Sequence, residues 1–178
     1  MRKWIGSAVL VILLAALPLG AHAQRRTTTR SAAPAGAKPS FGLELNWSSD
    51  VDFGLGGRAV FPLEPLFPRT PLDGIVSFDY FFPSKPAGVT SLTYWEINGN
   101  VAYRFTVPSR SSLRPYAGGG LNIAHASSTP GGSATKAGLN LLGGTTFKLK
   151  RSTLVPFAEA RGEVGGGKTF ILTGGIRF

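Results

Sequence analysis

Three side chains of this sequence have the chemical types that nucleophilic catalysis uses: His125, Ser127 and Glu159. His125 and Ser127 are two positions apart, and Glu159 is the next acidic residue along the chain. A serine nucleophile needs a base within hydrogen-bond reach and an acid that orients this base. The alternation of polarity, however, assigns His125 to the face of Ile123 and Glu159 to the opposite face. This arrangement favours an ordinary histidine at the edge of a loop.

Metal and nucleotide chemistry find little support in the sequence. The chain has no cysteine, and its two histidines are His22 and His125, so a zinc site built from His and Cys is excluded within one chain. No phosphate-binding loop ending in Gly-Lys-Ser or Gly-Lys-Thr occurs, and the glycines at 118–120 lie in a strand-like segment, where they allow close packing. We therefore expect no metal, no cofactor and no enzyme activity.

The composition bounds the class of protein. The 178 residues include 19 Lys and Arg but only 9 Asp and Glu, and 16% of the residues are charged. Ordinary soluble domains carry roughly 25% charged residues. This composition excludes a coiled coil and a highly charged disordered chain, and the lack of cysteine excludes a small domain held by disulfides. The length corresponds to a single domain.

Residues 1–23 have the pattern of an export signal. Arg2 and Lys3 precede an apolar run at 4–19, and Ala21-His22-Ala23 forms a small-x-small cleavage motif. A transmembrane helix is the alternative, but it needs roughly 20 apolar residues. The run at 4–19 has only 16 residues. We expect cleavage after Ala23, with Ala21 and Ala23 as the recognised positions.

Residues 24–39 are predicted to form a flexible basic tail. Arg25, Arg26, Arg30 and Lys38 stand among Thr, Ala, Ser, Pro and Gly, without any apolar side chain larger than Ala or Pro. Such a segment cannot bury enough surface to fold. A solvated tail is the simplest interpretation, and contact with anionic lipid or an acidic polymer is the alternative. Because the chain is predicted to be exported and has no nucleic-acid-binding motif, we expect no nucleic acid partner.

From residue 40 to residue 178 polarity alternates with a period of two, which is typical of strands with two unlike faces. In the clearest segment, Trp95, Ile97 and Val101 alternate with polar side chains such as Glu96 and Asn98. Turn-forming stretches rich in Gly, Pro, Ser and Asp separate eight such segments, and no helical periodicity persists. The sequence therefore predicts eight antiparallel strands, in a sandwich or an up-and-down barrel.

The direction of the apolar face separates two kinds of barrel. A soluble, lipocalin-like barrel buries its apolar face, whereas a membrane barrel turns this face to lipid and encloses a polar interior. The apolar faces carry large aromatic side chains near strand ends, as membrane barrels do, and the polar faces are rich in Gly and Asn. These features predict an all-β, eight-stranded antiparallel up-and-down transmembrane β-barrel, with the soluble barrel as the alternative. The aromatic side chains include Trp47, Phe61, Phe82, Trp95 and Phe105.

Strand parity places eleven charged side chains on the inward face of this predicted barrel. The interior of an eight-stranded barrel is just wide enough for side chains to fill it. Acids and bases are nearly balanced in number, so we expect them to pair, because an unpaired buried charge is costly. The predicted lumen charge network consists of Glu44, Arg58, Asp79, Glu96, Arg104, Arg114, Lys148, Glu159, Arg161, Glu163 and Arg177.

The last segment of the sequence has a further pattern. Phe170, Leu172, Gly174, Ile176 and Phe178 occupy alternate positions, and the last of them is aromatic. This pattern resembles the terminal strand signal of bacterial outer-membrane barrels, which the barrel assembly machinery reads. The resemblance implies that these residues form an assembly signal in this chain too.

Residues 40–178 as a whole resemble the small outer-membrane β-barrel domain family of the outer-membrane protein A type. The stretches 113–120, 141–144 and 156–161 carry this resemblance together with the last strand. The resemblance implies a protein of the cell outer membrane that contacts its lipid and lipopolysaccharide and is inserted by the barrel assembly machinery. It implies no mechanism and does not specify an oligomeric state.

These observations predict a non-catalytic role in envelope structure or in surface interaction. A narrow passive channel for small solutes is the alternative. Two further alternatives are a soluble periplasmic binding barrel and a lipid A-modifying enzyme, because some eight-stranded outer-membrane barrels that deacylate lipid A use His, Ser and Glu.

An even number of strands predicts that both ends of the barrel segment lie on the periplasmic side. Four loops would then face the outside of the cell and three turns would face the periplasm. The loops lie around Ser49, Lys85, Pro130 and Gly166, and the turns lie around Pro68, Ser109 and Arg151.

Overall fold

A computed structural model describes residues 38–108, 110–165 and 168–178 of the chain. The predicted signal peptide, residues 24–37 of the predicted tail, Ser109 and Gly166 lie outside the described residues. The described residues form eight strands. These are β1 (Ser40–Ser48), β2 (Asp52–Pro62), β3 (Leu72–Phe81), β4 (Ser91–Arg104), β5 (Leu113–Thr129), β6 (Gly132–Phe147), β7 (Val155–Val164) and β8 (Lys168–Arg177).

The strands form one closed antiparallel sheet. Each strand pairs with the strands before and after it in the chain, and β1 pairs with β8. At this closure Gly42 lies opposite Arg177, and Ser48 lies opposite Ile171. The prediction of an eight-stranded antiparallel up-and-down barrel is confirmed. Among the described residues no helix is long and apolar enough to cross a membrane.

Side chains alternate between the interior and the outer surface because successive residues of a strand point to opposite faces. In β1, Glu44 and Asn46 are 3% and 2% exposed, whereas the adjacent Leu43 and Leu45 are 68% and 64% exposed. Polar and charged side chains thus fill the interior, and large apolar side chains cover the outside. A soluble barrel would have the opposite arrangement.

Glycines on inward faces make room in this narrow interior. A Cβ atom added at Gly118 would collide with the backbone of Val101 on the neighbouring β4. This geometry agrees with the close strand packing predicted for the glycine run at 118–120. Gly56 has a related role, because a Cβ atom there would overlap the carboxylate of Asp79.

The connections between strands define two ends of the barrel. The hairpin end carries the connections β1–β2, β3–β4, β5–β6 and β7–β8. The terminal end carries the other three connections, the start of β1 and the last residue of β8. Its connections cover residues 63–71, 105–112 and 148–154, which is longer than the short periplasmic turns usual for such barrels.

Strands β5 and β6 extend beyond their predicted ends, on the side of the hairpin end. The Ser- and Gly-rich stretch at 127–133 predicts a connection, whereas only residues 130–131 lie outside the two strands. Pairing with β4, where Ser91 lies opposite Thr129, keeps the end of β5 in the sheet and overrides the local turn preference. Because β6 pairs with β7 from Leu139 onward, residues 132–135 have a strand neighbour on one side only among the described residues.

The residues predicted as an assembly signal lie on the outward face of β8 and directly after it. Phe170, Leu172 and Ile176 are 46%, 45% and 46% exposed, and Phe178 is 62% exposed. The backbone N–H of Phe178 donates to the carbonyl of Phe41 at 2.8 Å, which extends the closure between β8 and β1. The role of these residues in assembly stays a prediction.

Candidate functional site in the barrel interior

Arg161 on β7 holds three carboxylates inside the barrel, and we name Arg161, Asp79, Glu96 and Glu163 the Arg161 cluster. Its Nη2 atom lies 3.3 Å from Asp79 Oδ2 and 3.3 Å from Glu96 Oε2. Its Nε atom donates to Glu163 Oε1 at 2.8 Å. A guanidinium group has five N–H donors in a fixed fork, so one arginine can bind several carboxylates that would otherwise repel each other.

Amide and hydroxyl side chains complete the hydrogen bonding of these carboxylates. Asn46 and Asn98 donate to Asp79 at 2.7 and 3.0 Å, and the hydroxyl of Tyr94 donates to Glu96 at 2.6 Å. Buried charges are stable only when they are paired and hydrogen-bonded, and the cluster meets both conditions. Further bonds of this kind join Asn122 to Glu163 and Asn140 to Asn98.

A second cluster lies closer to the terminal end, and we name Arg58, Glu44, Glu159, Tyr116 and Phe157 the Arg58 cluster. Arg58 donates through Nε to Glu44, and through Nη1 and Nη2 to the two oxygens of Glu159 at 3.1 and 3.2 Å. The hydroxyl of Tyr116 donates to Glu159 at 2.8 Å. The guanidinium carbon lies 4.1 Å from the centre of the Phe157 ring, within cation–π distance.

The inward residues of β4 show how the interior changes along the barrel. Toward the terminal end they follow the order Glu96, Asn98, Asn100, Ala102 and Arg104. Ala102 is 1% exposed and belongs to a buried apolar cluster, which follows the polar residues. The other members of this apolar cluster are Val60, Ile75, Tyr116 and Leu142.

At the terminal end the barrel opens into a cavity of about 690 Å³, which we name the terminal cavity. Five residues of the predicted charge network line it: Arg58 at its inner part, and Arg104, Arg114, Lys148 and Arg177. Arg104 and Arg177 are the last residues of β4 and β8, and Lys148 follows the last residue of β6. Arg114 and Lys148 are exposed, because water reaches these strand ends.

Arg104 is paired with two acids that the sequence interpretation did not place in the interior. It donates through Nη2 to Glu64 in the β2–β3 connection, and its Nε lies 3.4 Å from Asp73 Oδ2. Asp73 shares the inward parity of Ser77 and Asp79, so continuing the alternation along β3 would have found it. Glu64 lies in an irregular connection, where no periodic signal exists.

The eleven residues of the predicted network divide into two groups. Seven come together in the Arg161 and Arg58 clusters, and the other four line the terminal cavity, which Arg58 also reaches. Charge is therefore not balanced locally, because the two clusters contain five carboxyl groups and two guanidinium groups. Bases concentrate at the terminal end, where hydration lets a cation exist without a partner.

His125 and Glu159 have other contacts than those that a catalytic triad requires. The His125 ring stacks on Trp95 with ring centres 5.0 Å apart, and its Nδ1 lies 2.8 Å from Thr135 Oγ1. Glu159 is bound within the Arg58 cluster. His125 also lies well inside β5 and not at the edge of a loop, because β5 continues to Thr129.

The two clusters can hold the strands of the barrel together and fill its cross-section. In the described ranges, no group of three or more His, Cys, Asp or Glu side chains is arranged to hold a metal ion. In the Arg161 cluster the guanidinium group occupies the position between carboxylates that a metal ion would take. Ion pairs therefore connect β7 with β3 and β4 in the Arg161 cluster, and β2 with β1 and β7 in the Arg58 cluster.

Comparisons with known proteins show a likeness in fold. No protein-family model and no curated protein matches the chain. The structure is similar to the N-terminal β-barrel domain of Pseudomonas aeruginosa OprF, with a TM-score of 0.58 and 16% sequence identity over 78% of this chain and 96% of that one. The fold is that of a transmembrane β-barrel.

Two further solved structures resemble this transmembrane β-barrel. One is Ail, the attachment invasion locus protein of Yersinia pestis, with 18% identity over 79% of this chain and 96% of that chain and a TM-score of 0.45. The other is a major outer membrane protein from Thermus thermophilus, with 14% identity over 79% of this chain and 99% of that chain and a TM-score of 0.48.

Proposed function

We propose that the protein is an integral outer-membrane barrel with a closed interior and a non-catalytic role in envelope structure or in contacts at the cell surface. The observation that carries this proposal is the polarity of the barrel, with hydrogen-bonded charges inside and large apolar side chains outside. Such an outer surface is favourable in lipid and unfavourable in water. The likeness in fold to the OprF barrel supports the outer membrane as the location.

The packing of the interior supports a closed barrel. Every charged side chain of the Arg161 and Arg58 clusters is at most 6% exposed. A passing ion would have to displace ion pairs that link strands far apart in the sequence, such as Arg161 with Asp79. Opening this path would leave buried charges without partners, which is costly.

The long β5–β6 hairpin supports a role in surface contacts. The part of it nearest the hairpin end, residues 129–137, exposes small and polar side chains. In the predicted topology the hairpin end faces the outside of the cell, so this segment would meet other molecules first. Labelling of intact cells tests the topology: a cysteine at Pro130 should react with an impermeant reagent, and one at Pro68 should not. The reverse result would overturn the orientation.

A passive channel is the second candidate, because a cavity approaches the clusters from each end. The terminal cavity reaches Arg58, and a cavity of about 260 Å³ at the hairpin end reaches Tyr94 and Glu163. Conduction between these cavities would need a rearrangement of the Arg161 cluster. The closed form therefore represents the ground state of either candidate.

Electrical recording of the folded protein in planar bilayers separates the two candidates. We expect no steady ion current above that of a protein-free bilayer, because the two clusters fill the cross-section. Heat-modifiable gel migration of the same preparation shows that the barrel is folded. A steady current from folded protein would overturn the closed interior and support the channel.

A further inference from the structure

The terminal cavity has the size of a ligand site. Its volume of about 690 Å³ lies within the roughly 300–1,000 Å³ of small-molecule sites. The terminal cavity is closed at its inner end, because Arg58 and members of the buried apolar cluster line it there. The proposed closed interior does not need this cavity, so the two proposals stand or fall separately.

Positively charged side chains outnumber negatively charged ones in the terminal cavity. Its two acidic side chains, Glu64 and Asp73, are already paired with Arg104. Arg114, Lys148 and Arg177 form no ion pair within the part of the chain that the structure describes. Apart from Arg58, the cavity therefore carries four cations against two acids, a net excess of two positive charges, and Asp73 also attracts Arg177.

Arg177 also has an unused donor. Its Nε atom is buried and has no hydrogen-bond partner among the described residues. Buried polar atoms of native proteins nearly always have a partner, and an exception points to a missing water, ion or ligand. The guanidinium group is a donor suited to oxyanions, because its fork matches the geometry of phosphate and carboxylate.

The inner wall of the terminal cavity, which we name its floor, is apolar and aromatic. Val60, Ile75 and Ala102 line it at 4%, 5% and 1% exposure, and the rings of Tyr116 and Phe157 lie beside them. A basic rim above an apolar floor suits a molecule with an anionic group and an apolar body. An inorganic anion would use the rim and leave the floor without a contact.

We propose that the terminal cavity is a binding site for a small organic anion, whose phosphate or carboxylate group lies among Arg114, Lys148 and Arg177 and whose apolar body lies on the floor. Binding there would let the barrel sample or retain such anions at its terminal end, and this requires no transport through the interior. The site adds a ligand-binding activity to the structural role proposed above.

Calorimetry on the folded protein in zwitterionic lipid nanodiscs tests the site, with 4-nitrophenyl phosphate as the probe. The double variant Arg114→Gln/Lys148→Gln removes two exposed cations of the rim, and we expect it to weaken binding by about tenfold or more. The matched control Arg110→Gln/Lys150→Gln removes the same charge from exposed residues of the terminal-end connections that do not line the cavity. We expect this control to bind as the unmodified protein does.

Three further probes separate the contributions to binding. We expect 4-nitrobenzoate to bind, inorganic phosphate to bind at least about tenfold more weakly than 4-nitrophenyl phosphate, and the uncharged 4-nitrophenyl galactoside not to bind measurably. Equal weakening in both double variants would mean general attraction to a basic surface and would overturn the site. If inorganic phosphate binds as tightly as 4-nitrophenyl phosphate, or if the galactoside binds strongly, the assignment of an organic anion is overturned. The site itself is overturned if the folded protein does not bind 4-nitrophenyl phosphate.

Discussion

The buried clusters and the terminal cavity differ in the environment that they give to charged side chains. In the Arg161 and Arg58 clusters, seven charged side chains are at most 6% exposed and two arginines hold five acids. Toward the terminal end, Arg114 and Lys148 are exposed and have no ion-pair partner among the described residues. Arginine and lysine are therefore structural where water is excluded and available for binding where water enters.

This comparison shows that acids and bases in the buried clusters are not equivalent. Because carboxyl groups outnumber guanidinium groups, a lost guanidinium leaves several carboxylates without a counter-charge. A lost carboxylate leaves its arginine with other acids. The free energy of unfolding should consequently depend far more on the two buried arginines than on any one of their partners.

The largest effect is expected from Arg161→Met, which removes the partner of Asp79, Glu96 and Glu163. Breaking a buried pair by removing one partner costs about 3–5 kcal/mol, so the free energy of unfolding should fall by that amount or the barrel should fail to fold. Urea unfolding in lipid vesicles, followed by tryptophan fluorescence, measures the change. Arg110→Met at the exposed control position should change it by less than about 0.5 kcal/mol. Equal stability of the two variants would refute a structural role for the cluster.

Next in size is a charge on the outer surface, where Val101 is 46% exposed. Val101→Arg should lower the free energy of unfolding in vesicles by about 2–4 kcal/mol if this position lies near the bilayer midplane. Val101→Leu preserves the apolar contact with lipid and should be nearly silent. A Val101→Arg barrel as stable as the unmodified protein would contradict the membrane-facing assignment.

A smaller effect is expected from Glu96→Gln, which removes one acid of the Arg161 cluster. The amide oxygen can still accept a hydrogen bond from Tyr94, and Arg161 retains Asp79 and Glu163. The free energy of unfolding should therefore fall by about 1 kcal/mol, close to the value of a single hydrogen bond. A loss as large as that of Arg161→Met would show that acids and bases contribute equally, and that the local excess of acid has no consequence.

The smallest effect is expected from Arg114→Gln/Lys148→Gln in the terminal cavity. Both side chains are exposed, and neither forms an ion pair within the described residues, so the free energy of unfolding should change by less than about 0.5 kcal/mol. The same vesicle assay measures it. A large destabilisation would place these cations in the structural part of the interior and remove the contrast between the buried clusters and the terminal cavity.

The sequence predicts the fold and the two faces of each strand because both depend on local geometry. A period of two follows from the pleat of a strand, so it assigns Glu96 inward and Val101 outward without knowledge of any other strand. Eight strands without a helix leave a sandwich or a barrel open, and the composition of the two faces, with large aromatic residues on one and Gly and Asn on the other, favours the barrel. These features need no long-range information.

The pairing inside the barrel could not be predicted, because it depends on the register between strands that are distant in sequence. Arg161 and Asp79 are 82 positions apart, and no local pattern shows that they meet. Total charge predicts a balanced network, whereas position along the strands separates the buried acids from the bases at the terminal end. Glu64 was missed for a similar reason, since its contact with Arg104 depends on the path of an irregular connection.

The pairing of β6 changes along its length, and this has a consequence for motion. Residues 132–135 pair with β5 and with no other described strand, whereas β6 is paired on both sides from Leu139 onward. Hydrogen exchange should consequently be faster at residues 132–135 than at residues 139–146. The free energy of a local opening depends only on the contacts that the opening breaks. The tip of the hairpin can therefore open and close again while the rest of the barrel stays folded. Within the single strand β6, local opening should thus be fast at the tip of the hairpin and slow within the barrel.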